Sequence, residues 1–124
     1  MTNIERLKTE MSNKEYFSDE VYDSLLEENG LDAYDDYNKD SDRINLLETV
    51  YSIWQMLSND IDNFRKIETE FVTTTAAYQY ISKRLADIRA EIDRLKDLEK
   101  EAENEYLQAN SRIGYLFYDT PNYK

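Results

Sequence analysis

Asp36, Asn38, Asp40 and Asp42 alternate along one stretch of this 124-residue chain, placing an oxygen donor at every second residue. The first ligands of an EF-hand calcium loop have this spacing, because a hard cation collects carboxylate and amide oxygens from one tight turn. The stretch departs from a calcium loop at two positions. Ser41 stands where the sharp turn requires glycine, and Leu47 stands where a bidentate glutamate closes the site. The same residues read equally as a polar loop, since Asp and Asn favour turns and Ser41 or Asp42 can cap a following helix.

Other catalytic chemistry is narrowly bounded. The chain has no histidine and no cysteine, which excludes serine–histidine and cysteine–histidine nucleophiles and histidine- or thiolate-ligated metals. Its two glycines, Gly30 and Gly114, cannot build a phosphate-binding loop or a dinucleotide fingerprint. Carboxylate pairs such as Glu68/Glu70 and Glu99/Glu103 remain, together with Lys66/Glu70. A glycosidase or di-metal site needs acids projecting into an apolar pocket, whereas these lie on helical stretches whose inward positions are Ile, Leu, Phe and Tyr. The expectation is a protein that is not an enzyme and takes no cofactor and no metal.

The elements that position these residues follow from composition and periodicity. With two glycines and one proline, Pro121, the chain has few turn-formers, which favours long helices over a many-turn β fold. Hydrophobic residues make up 40%, enough for one modest core. No apolar run reaches the roughly 18 residues of a membrane span, and the N-terminal residues lack the basic and apolar regions of a signal peptide. A soluble protein outside the general secretory route is expected.

Thr2 is positioned to cap a first helix carrying Ile4, Leu7 and Met11, interrupted at Ser12-Asn13. Ser18 caps a second, with Asp19 and Glu20 in its first turn, Val21, Tyr22, Leu25 and Leu26 as its stripe, and Gly30 then Leu31 as its stop. A third helix runs from Asp42 to about Leu57. Its broad apolar face (Ile44, Leu46, Leu47, Val50, Tyr51, Ile53, Trp54, Leu57) marks it as the central element, with Trp54 a core or interface anchor. The spacing resumes at Ile61, Phe64, Ile67 and Phe71, and the β-branched run Val72-Thr73-Thr74-Thr75 suits a junction.

Ile81, Leu85, Ile88, Ile92 and Leu95 then alternate steps of four and three, the seam of a coiled coil, extended with a shift by Leu98, Ala102 and Tyr106. Unbroken from Ala76 to Ala109, this helix would be about 50 Å long, beyond the roughly 30 Å of a compact domain this size. Part of it should project or pack on another chain. The ending, Ile113, Gly114, Tyr115, Leu116, Phe117 and Tyr118, with Tyr123 beyond, reads as a short strand or extended arm that docks on a neighbour. The expected fold is all-α, a helical bundle over residues 1–110 with one long C-terminal helix, followed by an aromatic arm over 111–124 with a short β-strand.

Charge is uneven. The net charge is −12, and residues 1–62 carry 16 acids against 5 bases. Such a surface repels phosphate, so direct capture of nucleic acid is not expected. Three readings of the acidic flank stand open: a solvated face that aids solubility, a wall that DNA slides past, or an imitation of DNA.

The stretch from Phe17 to Leu31, followed by Leu47-Glu48-Thr49-Val50 and by Asn59 to Phe71, resembles small neck proteins of tailed phages and prophages of Gram-positive hosts, the head–tail connectors or adaptors. The resemblance covers roughly residues 1–95, and its motifs are structural rather than catalytic. It implies a virion protein, assembled in the host cytoplasm, that forms a ring of about twelve copies with the cyclic symmetry usual for homo-oligomers. The ring would sit beneath the portal, contact a tail-side neck protein, and extend the DNA channel without binding DNA specifically. Asp19, Asp23, Glu27, Asp32, Asp35 and Asp36 would then line the channel, and Ile113, Tyr115, Leu116, Phe117, Tyr118 and Tyr123 would reach a partner. The alternatives are an acidic DNA mimic that inhibits a nucleic-acid-binding protein, and a generic scaffold that dimerises through the Ile81–Leu95 seam.

Overall fold

The computed structural model describes the backbone of residues 1–59 and 74–118, and side chains over 1–59 and 76–109. Among the described residues the chain is all-α: α1 Asn3–Glu10, α2 Asp19–Glu28, α3 Lys39–Asn59 and α4 Thr74–Tyr118. The stripe expected at Ile61, Phe64, Ile67 and Phe71, the pairs Glu68/Glu70 and Lys66/Glu70, and Tyr123 lie outside the described residues.

Local chemistry fixes the helix ends. Thr2 and Glu5 form a reciprocal capping box at the start of α1: Thr2 Oγ1 accepts from Glu5 N at 3.3 Å, and Thr2 N donates to Glu5 Oε1 at 2.8 Å. Ser18 Oγ accepts from Val21 N at the start of α2, with Asp19 and Glu20 in the first turn. Helix α2 closes in a Schellman motif. Gly30, at φ +79°, donates to Glu27 O at 3.0 Å, and Leu31 donates to Leu26 O at 2.9 Å while burying its side chain.

Two expectations need correction. Helix α3 begins at Lys39, not Asp42, and its cap is Asn38 rather than Ser41 or Asp42. Asn38 Oδ1 accepts from Asp40 N at 2.9 Å and Ser41 N at 3.4 Å, while Asp42 Oδ2 reaches back to Asn38 N at 3.0 Å. At the other end, the backbone of Ile113–Tyr118 is helical rather than a strand or extended arm. A helix satisfies its backbone donors and acceptors within itself, whereas an isolated strand cannot. The helix propensities of Ile, Tyr and Phe lie only a few tenths of a kcal/mol below the average, too little to oppose that gain.

The chain divides into two compact units, Met1–Ile92 and Asp93–Lys124. In the first, α1, α2 and α3 pack around Leu7, Met11, Tyr22, Leu26, Leu46, Val50, Ile53 and Leu57, each at most 2% exposed. Burying a large apolar side chain of this kind contributes roughly 1.5–3 kcal/mol. Ala77, Ile81, Ile88 and Ile92 of α4 join this core. Helix α4 lies antiparallel to α3 here: Trp54 meets the Tyr80 ring edge-on at 5.6 Å between centroids, and Arg89 reaches back to Glu48 and Tyr51. The N-terminus is stitched to the loop after α2, with Asn3 N on Asp35 O, Ile4 N on Ala33 O and Tyr37 N on Met1 O, all at 2.9 Å. In the second unit, every described side chain from Lys96 to Ala109 is exposed.

Candidate functional site

Helix α2 and the loop after it place the acidic residues. Asp23 and Glu27 lie one turn apart on α2, and the left-handed turn at Gly30 folds Leu31, Asp32 and Tyr34 beside them. These six residues line an open concavity of about 500 Å³. Asp32 is held there by an Asx turn, its Oδ1 accepting from Tyr34 N at 2.9 Å, and its carbonyl accepts from the buried Asn3 Nδ2 at 2.7 Å. Tyr34 stands 67% exposed at the rim.

The other acids of the expected channel face are placed differently. Asp19 is engaged with Lys8 at 2.8 Å, and that hydrogen bond and charge hold the Lys8 ammonium above its ordinary pKa. Asp35 and Asp36 are exposed and lie where the loop meets the N-terminus, Asp36 forming an isolated antiparallel bridge with Thr2. Of the six, Asp23, Glu27 and Asp32 share one surface. The contribution of Gly30, Leu31 and Tyr34 was not foreseen from sequence, although the helix stop at Gly30 is the signal that brings the loop back onto α2.

The alternating Asp36, Asn38, Asp40 and Asp42 do not form a ligand set. Asn38 and Asp42 are hydrogen-bonded into the cap of α3, and residues 39–42 are helical, which points successive side chains in different directions. No group of three or more Asp or Glu side chains able to hold a metal occurs among the described residues.

The seam divides by burial. Ile81, Ile88 and Ile92 are buried within the first unit, and Leu85 and Leu95 are half-buried. Beside it runs an aromatic and cationic strip that the spacing did not reveal. Trp54 is 4% exposed between Tyr16 and Tyr80, with ring centroids 6.0 and 5.6 Å away and the Arg84 guanidinium 5.9 Å above its ring. Arg89 lies 4.5 Å over the Tyr51 ring and 3.4 Å from Glu48 Oε2. These contacts join α3 to α4 and account for the spacing of large residues along α3 as packing, with Trp54 a core anchor. Farther along α4, Leu98, Tyr106 and Leu107 are 49%, 66% and 55% exposed. Ile113, Tyr115, Leu116, Phe117 and Tyr118 occupy its last turns.

No protein-family model, curated protein or solved structure matches this chain. No helix among the described residues is long and apolar enough to cross a membrane.

Proposed function

We propose that this chain is a structural adaptor of a tailed phage or prophage, a neck protein that assembles as a ring of copies below the portal and extends the DNA channel. The observation that carries the reading is the uncovered apolar surface of α4, where Leu98, Tyr106 and Leu107 stand exposed on a helix that continues to Tyr118. A lone solvated helix gains nothing from these side chains, whereas a helix received by the portal or by a tail-side neck protein buries them. The partners are further copies, the portal and a tail-side neck protein, and the place of action is the virion neck after assembly in the host cytoplasm. The acids of α2 and the following loop suit a wall that packaged DNA passes without the counterion release that gives basic surfaces their adhesion.

The acidic concavity also favours a second reading, a DNA mimic that occupies a basic partner. A scaffold dimerised through the Ile81–Leu95 seam is less favoured, because Ile81, Ile88 and Ile92 are already covered within the chain. The deciding experiment is induction of the encoding phage or prophage with and without the gene, followed by electron microscopy and mass spectrometry of purified particles. The adaptor reading expects the chain in wild-type particles and tailless DNA-filled heads when it is deleted. Normal tailed particles lacking the chain would overturn it, and tight capture of a nuclease or other DNA-binding protein by a monomer would establish the mimic.

A further inference from the structure

Residues 95–109 of α4 combine two features. At 100° per residue Leu95, Leu98, Ala102, Tyr106 and Ala109 fall within an arc of roughly 80°, and Ala102 and Ala109 leave room for close approach of another backbone. Around that stripe stand Asp97, Glu99, Glu101, Glu103 and Glu105, with Lys96 and Lys100 the two bases, each more than about 100° from the stripe's centre, and all are exposed.

A second copy is a poor occupant. Glu99 and Glu105 flank the stripe, each about 60° from its centre at 100° per residue. A parallel self-pair on the stripe would therefore set the flanking acids of one copy against those of the other along its rim. An antiparallel self-pair centred on this segment sets the same five acids against themselves. Charge complementarity selects a partner of different sequence, with aliphatic residues on its floor and Lys or Arg along its rim.

We propose that residues 95–109 are a helical ligand that lies in a basic-rimmed apolar groove of a different protein, the stripe entering the groove and the glutamates meeting its rim. The inference concerns this helix alone and does not depend on the ring or on the virion.

The test uses the full chain and a defined probe, a fluorescent three-heptad peptide with leucine at a and d and lysine at e and g, compared with the same peptide carrying serine at a and d. Anisotropy should show the leucine peptide binding at least about ten-fold more tightly than the serine peptide. Leu98→Ser with Tyr106→Ser should weaken it about ten-fold, and Glu101→Gln with Glu105→Gln about three-fold. Glu20→Gln with Glu28→Gln, acids of the first unit outside the concavity, should leave binding within about two-fold. All these positions are exposed, and far-UV circular dichroism confirms that each variant remains folded. Four results overturn the proposal: no binding of the leucine peptide at 100 µM, equal binding of both peptides, equal loss in the first-unit variant, or a wild-type dimer in sedimentation that Leu98→Ser with Tyr106→Ser converts to monomer. None of these bears on whether the chain is found in particles.

Discussion

Arg43 of α3 and Glu10 of α1 meet at 2.8 Å, and the Glu10 oxygen that receives Arg43 Nη1 also receives Arg6 Nη2 at 2.8 Å. An acid in the last turn of a helix opposes the helix dipole, so Glu10 is placed for its tertiary partners rather than for α1. Burial by itself would lower the pKa of Arg43, but its hydrogen bond and charge interaction with Glu10 outweigh that and leave it raised. Glu10→Gln should destabilise the fold by about 1 kcal/mol, a charge-assisted bond discounted because all three side chains are partly solvated. The check is the urea midpoint at two salt concentrations, where the loss should shrink toward 1 M NaCl as screening weakens the wild-type pairs.

Trp54 should dominate the core energetically. Enclosed by Tyr16, Tyr80 and Arg84, it leaves a large void when truncated, and Trp54→Ala should cost about 3–5 kcal/mol. Small domains have only about 5–15 kcal/mol in total, so the variant should be partly unfolded at 37 °C. Trp54→Phe, which keeps most of the ring contact, should cost less than half as much. Trp54 is the chain's single tryptophan, so both variants are followed by far-UV circular dichroism rather than fluorescence. A loss below 1 kcal/mol in Trp54→Ala would place the residue outside the core.

The ends of α1 and α2 use one motif with different residues. After α1, Asn13 N donates to Lys8 O at 2.7 Å and Ser12 N to Thr9 O at 3.0 Å, the same Schellman pairing that Gly30 and Leu31 make after α2. Ser12, however, takes φ 58° with a side chain, where glycine takes it freely. Ser12→Gly should therefore stabilise by about 0.5 kcal/mol, the relief of strain exceeding the greater freedom of the unfolded chain. Gly30→Ala should destabilise by about 1 kcal/mol from backbone conformation alone, since a Cβ there meets only Asn45 Nδ2 at an ordinary 3.8 Å. Thermal midpoints of the pair, moving in opposite directions, are the measurement.

What could be read in the chain was whatever a few neighbouring residues decide. Thr2, Ser18 and Gly30 act on amides within four positions of themselves, so their roles follow from sequence. The start of α3 is ambiguous in the sequence because Asn38, Ser41 and Asp42 are all competent caps within five residues, and the choice rests on which oxygen reaches Asp40 N. Spacing showed that Ile81, Ile88 and Ile92 share a stripe but could not show that the chain's own core covers it. The pairing of Arg89 with Glu48 joins residues 41 apart, and no local pattern announces it. At Ile113–Tyr118 the aromatic residues suggested a strand, and the continuing helix overrode so small a preference. The concavity beside Asp23 and Glu27 depends on the loop returning to α2, which only the fold determines.

Calcium should have no effect on stability. Asn38 and Asp42 are committed to the cap of α3, and collecting them around an ion would require unwinding its first turn. The thermal midpoint in 5 mM calcium should equal that in EDTA, and calorimetric titration should show no heat of binding. Asn38→Ala should instead lower stability by about 1 kcal/mol with or without calcium, the loss expected of an N-cap.

The capping box at Thr2 and Glu5 gives a pH dependence whose sign is fixed. Hydrogen bonds from Thr2 N and Thr2 Oγ1, at 2.8 and 2.9 Å, hold the Glu5 carboxyl below its ordinary value. A carboxyl whose pKa is lower in the folded than in the unfolded state contributes stability that is fully present above the unfolded value, about 4.3. That contribution is lost as pH falls through the lower folded value. Glu5→Gln keeps an acceptor for Thr2 N but cannot titrate. The wild-type advantage in urea midpoint over Glu5→Gln should therefore hold steady from pH 7 to 5.5 and fade on further acidification, while the carboxyl carbon resonance of Glu5 titrates below the usual glutamate range. An advantage unchanged down to pH 3 would show that the carboxylate charge plays no part in holding the start of α1.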